Sequence, residues 1–353
     1  MKRIMKMLAF FAVAAMGLTA CQNDYEEKIE AKESVVVTFV ADSAAESRTS
    51  VDTSGDVPVF AWGNNETFAV LEQTTSLASA TNVEYAKDDE GKATITATFD
   101  HNAGQSEYKY VAVYPLSGYY ESDSESIYAA KLYLSNNQTM YSDASYDPNA
   151  DLMVSKVVTT AAQPTEAQYL QFTRLAAVAK MSIKGVEGTI EKVIFTANGK
   201  NIAGTINADL ENIANEDGTH NFVVAEGSDT ITIDGAVNNG AVYFTLLPTT
   251  LEAGDEYTVT IVTEDKIYVK KGTIPDGKSL QFAAGMVTRF GVNMEGVVAG
   301  DKWMLVRDVN ELEAGDIVTF AAANYDFVLG AKYYENYSGT SGYPYASSTK
   351  VVK

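Results

Sequence analysis

Ala93-Thr94-Ile95-Thr96-Ala97-Thr98-Phe99 alternates apolar and hydroxyl side chains residue by residue. A period of two predicts a β-strand with one face buried and the other in water. Val35-Val36-Val37-Thr38-Phe39-Val40 and Tyr257-Thr258-Val259-Thr260-Ile261-Val262 share its branched and aromatic composition. Turn signals stand between such runs, at Asp88-Asp89-Glu90-Gly91, Ala197-Asn198-Gly199, Asn238-Asn239-Gly240 and Ala253-Gly254-Asp255. Many short strands separated by frequent turns read as antiparallel β-sandwiches, an all-β fold. The alanines between Arg174 and Ile183 would also suit a helix; the segment is read here as a strand.

The chain opens with a short basic run, Met1-Lys2-Arg3-Ile4-Met5-Lys6, followed by an uncharged apolar stretch from Met7 to Leu18. That stretch is too short to span a bilayer, which takes roughly 20 apolar residues, and has the length of a signal-peptide core. Leu18-Thr19-Ala20-Cys21 then forms a lipobox around the only cysteine in the chain. An ordinary export signal would leave Cys21 as a lone thiol in an oxidising compartment, where thiols tend to pair; lipidation accounts for it. Residues 1–20 are therefore read as a lipoprotein signal and Cys21 as the lipidated first residue. One acyl chain holds a membrane only marginally, and several hold stably. Residues 21–33, beginning Gln22-Asn23-Asp24-Tyr25-Glu26-Glu27, are polar and acidic and read as a solvated tether to the outer membrane.

The 353 residues carry a formal charge of −21, and removing Lys2, Arg3 and Lys6 with the signal lowers it by three to −24. Nucleic acid needs a basic patch, so it is not an expected partner, and neither is the surface of an anionic bilayer. A hydrophobic content of 46% suffices to build cores without disulfides.

A boundary falls between Val157 and Ala167, where small residues and Pro164 break the pattern. It divides an N-terminal sandwich over 34–160 from a second over 161–296. Residues 297–353 hold three or four candidate strands, too few for an independent sandwich, and stop in mid-pattern at Lys350-Val351-Val352-Lys353. They read as a partial C-terminal β segment, a truncated third domain or strands completed elsewhere. Leu312-Glu313-Ala314-Gly315-Asp316 repeats Leu251-Glu252-Ala253-Gly254-Asp255; both read as tight turns feeding a strand.

Six segments then stand in a fixed order: Ser47-Arg48-Thr49-Ser50, Phe60-Ala61-Trp62-Gly63-Asn64-Asn65-Glu66, Val111-Ala112-Val113-Tyr114-Pro115, Asp151-Leu152-Met153-Val154-Ser155, Leu170-Gln171-Phe172-Thr173-Arg174-Leu175, and Phe282-Ala283-Ala284-Gly285-Met286-Val287-Thr288-Arg289-Phe290. In this order, behind a lipobox and one strand, the chain resembles the fimbrillin-like lipoproteins of Bacteroidota, the pilins and accessory subunits of type V pili. The likeness runs from about residue 34 to 295. It departs where Asn65-Glu66 stand in place of the Gly-Asp that often follows the tryptophan. The resemblance implies tandem transthyretin-like β-sandwiches and a lipoprotein carried to the outer membrane, surface-exposed or fimbrial. It also implies, in polymerising members, an arginine-specific cut after the first strand, whose place a neighbouring subunit's strand takes.

The local sequence suits that mechanism. Val35, Val37, Phe39 and Ala41 lie on one face of the candidate displaced strand, and a long polar segment from Ala41 to Asp56 follows it. Arg48 is the candidate cleavage site and the only arginine between the signal and Arg174. A cut there also frees the chain from Cys21. A stalk pilin would be expected to end near the second sandwich, so the extra residues favour an accessory, anchor or tip subunit, with other pilin or surface subunits and a host or glycan ligand as partners.

No catalytic constellation is legible. His101 and His220 each sit beside a turn, and there is no nucleophile elbow, phosphate loop or Cys/His metal spacing, so no enzyme, metal or cofactor is expected. Asp147-Pro148-Asn149-Ala150-Asp151 begins like a calcium loop but lacks its glycine and glutamate, and reads as a polar loop. Tyr119, Tyr120, Tyr128, Tyr133 and Tyr141 read as ordinary strand tyrosines. Tyr333, Tyr334, Tyr337, Tyr343 and Tyr345 form a candidate binding surface, the basis of the alternative that the chain holds a polysaccharide for uptake.

Overall fold

A computed structural model describes residues 33–41, 50–52, 59–73, 77–101, 105–120, 130–140, 145–213, 221–237, 240–297 and 299–301, and the backbone of five short strands between 303 and 352. Among these residues there is no α-helix, only single 3-10 turns at Leu116–Gly118 and Pro148–Ala150. No described helix is long and apolar enough to cross a membrane. The fold is all-β, as the two-residue period predicts, with two sandwich cores in tandem.

The first core lies between two sheets. In one, the first strand, Glu33–Ala41, pairs antiparallel with Ala93–His101 along its whole length, from Glu33 opposite His101 to Ala41 opposite Ala93. Asn82–Lys87 extends that sheet beyond Ala93–His101. The facing sheet runs Phe172–Arg174, Met153–Ser155, Tyr108–Tyr114, Ala69–Gln73 and Leu77–Ser79, with Val158–Thr160 also on Tyr108–Tyr114. Its residues alternate between two cores. Val70, Tyr108, Tyr110, Ala112, Tyr114 and Met153 face the first, while Ala69, Leu71, Val111, Val113, Leu152 and Val154 face the second.

The second core extends from the back of that sheet to a six-stranded sheet, in which Thr230–Val237, Ile190–Ala197, Glu256–Thr263 and Lys266–Thr273 are successive neighbours, and a three-stranded one. In the latter, Ala177–Lys184 lies antiparallel to Ala241–Leu246 and parallel to Val287–Asn293. The alanine-rich segment is thus a strand after Arg174: Ala177, Ala179, Met181 and Ile183 face the core and Ser182 faces water. Phe195 bridges the two sheets, its ring 5.5 Å from Phe244 and 5.8 Å from Phe290.

Pairing also runs across residue 160. Ala130–Leu134 is antiparallel to Ala203–Ala208, and Asn137–Thr139 is parallel to Thr232–Asp234. Buried Gln138 mimics a strand there: its amide donates to Thr245 O at 2.8 Å, and its oxygen accepts from Thr245 N at 2.9 Å. The turn read at Leu251 to Asp255 is present, with Gly254 at φ 90°, a conformation that disfavours any side chain. Beyond residue 302, five short strands form one antiparallel sheet, where the sequence suggested three or four.

Because Phe195 bridges both sheets of the second core, Phe195→Ala should cost about 3–5 kcal/mol of folding free energy. A lowered urea midpoint with an unchanged slope would show it; an unmoved midpoint would mean that the two sheets do not depend on that ring.

Candidate functional site

The first strand is the feature with the clearest functional geometry. Val35, Val37, Phe39 and Ala41 are 5%, 1%, 0% and 0% exposed, whereas Val36 between them is 58% exposed. Fully burying a valine or phenylalanine contributes roughly 1.5–3 kcal/mol, so this one strand supplies a large share of the first core. Its pairing is lopsided. One edge is matched for its full length by Ala93–His101, while the other meets only Gln168–Tyr169, parallel to Phe39 and Val40, before Leu170 N donates to Val40 O at 2.8 Å. Among the described residues, most of that second edge has no strand beside it. Taking the strand away would break one ladder and leave Ala93–His101 with an unpaired edge beside an apolar groove.

The wall of that groove opposite the strand is aromatic. Trp62 stands at its centre, with the rings of Phe68, Tyr114 and Phe172 at 5.5–5.6 Å, all edge-on. The loop after Trp62 is closed by Glu66, whose Oε1 accepts from Gly63 N at 2.5 Å and whose Oε2 accepts from the Tyr114 hydroxyl at 2.5 Å. Tyr85 donates to Gly63 O and Lys87 to Trp62 O, at 2.9 and 3.1 Å. The departure from Gly-Asp therefore retains a carboxylate that caps the loop. Burial, and the negative Glu66 beside it, push the Tyr114 hydroxyl far above the usual phenol range.

Two more of the ordered segments meet beside this wall. Asp151 and Arg174 lie on neighbouring segments joined by the Met153 to Arg174 pairing. Both are fully buried and form a two-pronged ion pair, Nε to Oδ1 at 2.6 Å and Nη2 to Oδ2 at 2.9 Å. The Tyr146 hydroxyl donates to Asp151 Oδ2 at 2.9 Å and accepts from Arg174 Nη2 at 3.2 Å. Burial, only partly offset by Arg174, raises the Tyr146 hydroxyl well above its ordinary range. For Arg174, burial opposes the charge but the adjacent Asp151 outweighs it, so the guanidinium stays protonated.

Of the residues singled out in the sequence, the four strand positions come together as one buried row. Cys21, Arg48, Tyr337, Tyr343 and Tyr345 lie outside the described residues. Tyr333 and Tyr334 fall in the strand Lys332–Tyr334. His101 ends the strand that pairs with the first one, and His220 is outside the described residues. Asp147 accepts from Thr139 N and Asn149 N, both at 2.9 Å, and Asp151 serves Arg174. Among the described residues no cluster of three or more His, Cys, Asp or Glu could hold a metal ion. The Asp151–Arg174–Tyr146 cluster was missed in the sequence, although an arginine opening the apolar run Leu175 to Ala179 was a signal for it.

A family model described as fimbrillin-like matches residues 44–302. No curated protein matches the chain. Among solved structures, a candidate cell adhesion protein of Bacteroides uniformis is 14% identical with a TM-score of 0.39, covering 76% of this chain and 96% of that one. A fimbrial assembly protein of Parabacteroides distasonis is 11% identical with a TM-score of 0.37, covering 77% and 95%. The tip fimbrial protein Mfa3 of Porphyromonas gingivalis, with a C-terminal truncation, is 13% identical with a TM-score of 0.32, covering 76% and 98%. Likenesses this loose add nothing to the family match.

Arg174→Met alone should cost about 3–5 kcal/mol, because it strands a buried carboxylate, and the double change Asp151→Leu with Arg174→Met should restore most of it. Urea unfolding of the three variants checks this; a double variant no better than the single one would contradict it. Tyr114 and Tyr146 also set an alkaline limit. Their pKa values are raised on folding, so above pH about 10 the unfolded chain loses these protons and the folded chain keeps them. The contribution of these tyrosines should be constant below that pH, and above it stability should fall by about 1.4 kcal/mol per pH unit for each of them. Tyrosinate absorbance should then appear together with unfolding; full ionisation in the folded state at pH 10 would contradict it.

Proposed function

Because this chain belongs to the fimbrillin-like family, we propose that it is a surface pilus subunit that works in adhesion and joins its neighbours by strand exchange. It is exported behind the signal of residues 1–20, lipidated at Cys21 and held at the outer membrane by the tether. An arginine-specific protease cuts after Arg48, the strand Glu33–Ala41 leaves with the anchor, and a strand from another subunit fills the groove. The five strands after residue 302 favour an accessory, anchor or tip position over the stalk.

One observation carries this reading. The first strand buries Val35, Val37, Phe39 and Ala41 in the first core and yet, among the described residues, is laddered along its full length on one side only. Its departure leaves backbone groups and an apolar groove that another strand can match, which is the physics of strand complementation. Among the described residues arginine occurs only at Arg174, buried against Asp151, and at Arg289, within the paired strand Val287–Asn293. Proteases need an accessible segment that can be drawn out of the fold; Arg174 is buried, and the backbone around Arg289, though its side chain is exposed, is held by pairing with Ala177–Lys184.

The test uses the mature chain and an arginine-specific protease. Cleavage should remove the residues up to Arg48 and produce a ladder of oligomers in native mass spectrometry, and Arg48→Ala should keep its N-terminal residues and stay monomeric. A cut protein that remains monomeric at every concentration would overturn the reading, as would equal oligomerisation of Arg48→Ala.

A further inference from the structure

The floor beneath the first strand is not uniformly apolar. Tyr110 stands there, with Glu72 directly opposite on one neighbouring strand; two residues back, Tyr108 stands opposite Thr160 on the other. Directly opposed residues share a face, so these four side chains look into the first core together with Val70 and Ala112. Tyr110 is 0% exposed and Glu72 1%. The Tyr108 hydroxyl accepts from Gln105 N at 3.2 Å. The hydroxyls of Tyr110 and Thr160 are shut off from solvent and have no hydrogen-bond partner among the described residues. A buried hydroxyl in that state has given up its bonds to water for nothing in return, which is destabilising.

The strand lying over this floor offers these groups nothing, because its inward side chains are Val35, Val37, Phe39 and Ala41. The ring of Tyr110 sits 5.5 Å from Phe39 and 5.8 Å from Phe99. Phe99 is opposite Val35, and the inward pair lying between those two phenylalanines is Val37 with Ala97. On the first strand, position 37 lies between these two contacts of the Tyr110 ring.

We propose that the groove is matched to an incoming strand with a short hydroxyl side chain, threonine or serine, at the position Val37 holds, and that the chain's own strand is a weaker occupant. The proposal rests on the strand-exchange reading and adds which strand the groove prefers. Threonine has the outline of valine with a hydroxyl in place of one methyl, so it enters without new volume. Its hydroxyl both donates and accepts and can meet the Tyr110 hydroxyl in either sense. Relieving one buried unpartnered group by one hydrogen bond corresponds to about a tenfold gain in affinity. The preference would favour a neighbour's strand over rebinding of the chain's own.

Two measurements test it. In the intact mature chain, Val37→Thr should leave the melting temperature unchanged or raise it, and should lower it in a Tyr110→Phe background, where the hydroxyl has no partner. A fall of several degrees in both backgrounds would overturn the proposal. In protein cut after Arg48, synthetic peptides copying residues 33–41 with valine or threonine at position 37 compete for the groove, read by release of the N-terminal fragment. The threonine peptide should bind about tenfold tighter. Equal or weaker binding would overturn the hydroxyl preference alone, whereas failure of both peptides to bind would overturn the strand-exchange reading and the preferred donor with it.

Discussion

The strand Tyr108–Tyr114 has a core on each face, and the rest of the molecule is arranged around that constraint. Tyr108, Tyr110, Ala112 and Tyr114 pack toward the first strand, while Val111 and Val113 pack toward the second core. Its neighbours Ala69–Gln73 and Met153–Ser155 divide their residues in the same way. A sheet buried on both faces is held even when one cover is lost. The inward side chains of the first strand are worth roughly 1.5–3 kcal/mol apiece, and domains are stable by only about 5–15 kcal/mol in total. A lone sandwich deprived of such a strand would unfold. Here the wall opposite the strand would stay anchored from behind, so a groove could outlast the strand that filled it.

Polar groups inside the cores fix where those elements sit. Arg174 can reach Asp151 in two-pronged geometry only in the register that sets Met153 opposite Arg174. A slip of one residue would turn Arg174 into the opposite face and leave both charges without partners. The pair need not add stability over an apolar replacement, since desolvation offsets much of its attraction. What it contributes is a penalty on every other register. Glu66 acts similarly on the loop after Trp62, tying it to the Tyr114 strand through one carboxylate.

The elements were legible in the sequence because the signal for them is local. Alternation in Ala93 to Phe99 places Ala93, Ile95, Ala97 and Phe99 inside, and the same rule picks out Val35, Val37, Phe39 and Ala41. Which strands become neighbours is a different matter. Ala130–Leu134 pairs with residues over 70 positions later, and nothing in its five residues marks Ala203–Ala208 as the partner. The Asp151 and Arg174 segments were visible as motifs, but a charge in an apolar run reads the same whether it faces water or another charge. The polar floor under the first strand was hidden for the same reason: Glu72, Tyr110 and Thr160 are ordinary strand residues until pairing sets them in one chamber.

Covalent continuity explains why the strand exchange proposed here would need a cut. While Glu33–Ala41 remains joined to the rest of the chain by residues 42–49, its effective concentration at the groove is of the order of millimolar. A strand on a separate molecule at micromolar concentration then competes at a disadvantage of roughly a thousandfold, more than one extra hydrogen bond could overcome. Hydrolysis after Arg48 would remove that advantage. From then on the two strands differ only in how well they fit. On this proposal, an own strand that covers the groove but leaves the Tyr110 hydroxyl without a partner among the described residues would be good enough to protect the fold before the cut and poor enough to be replaced after it.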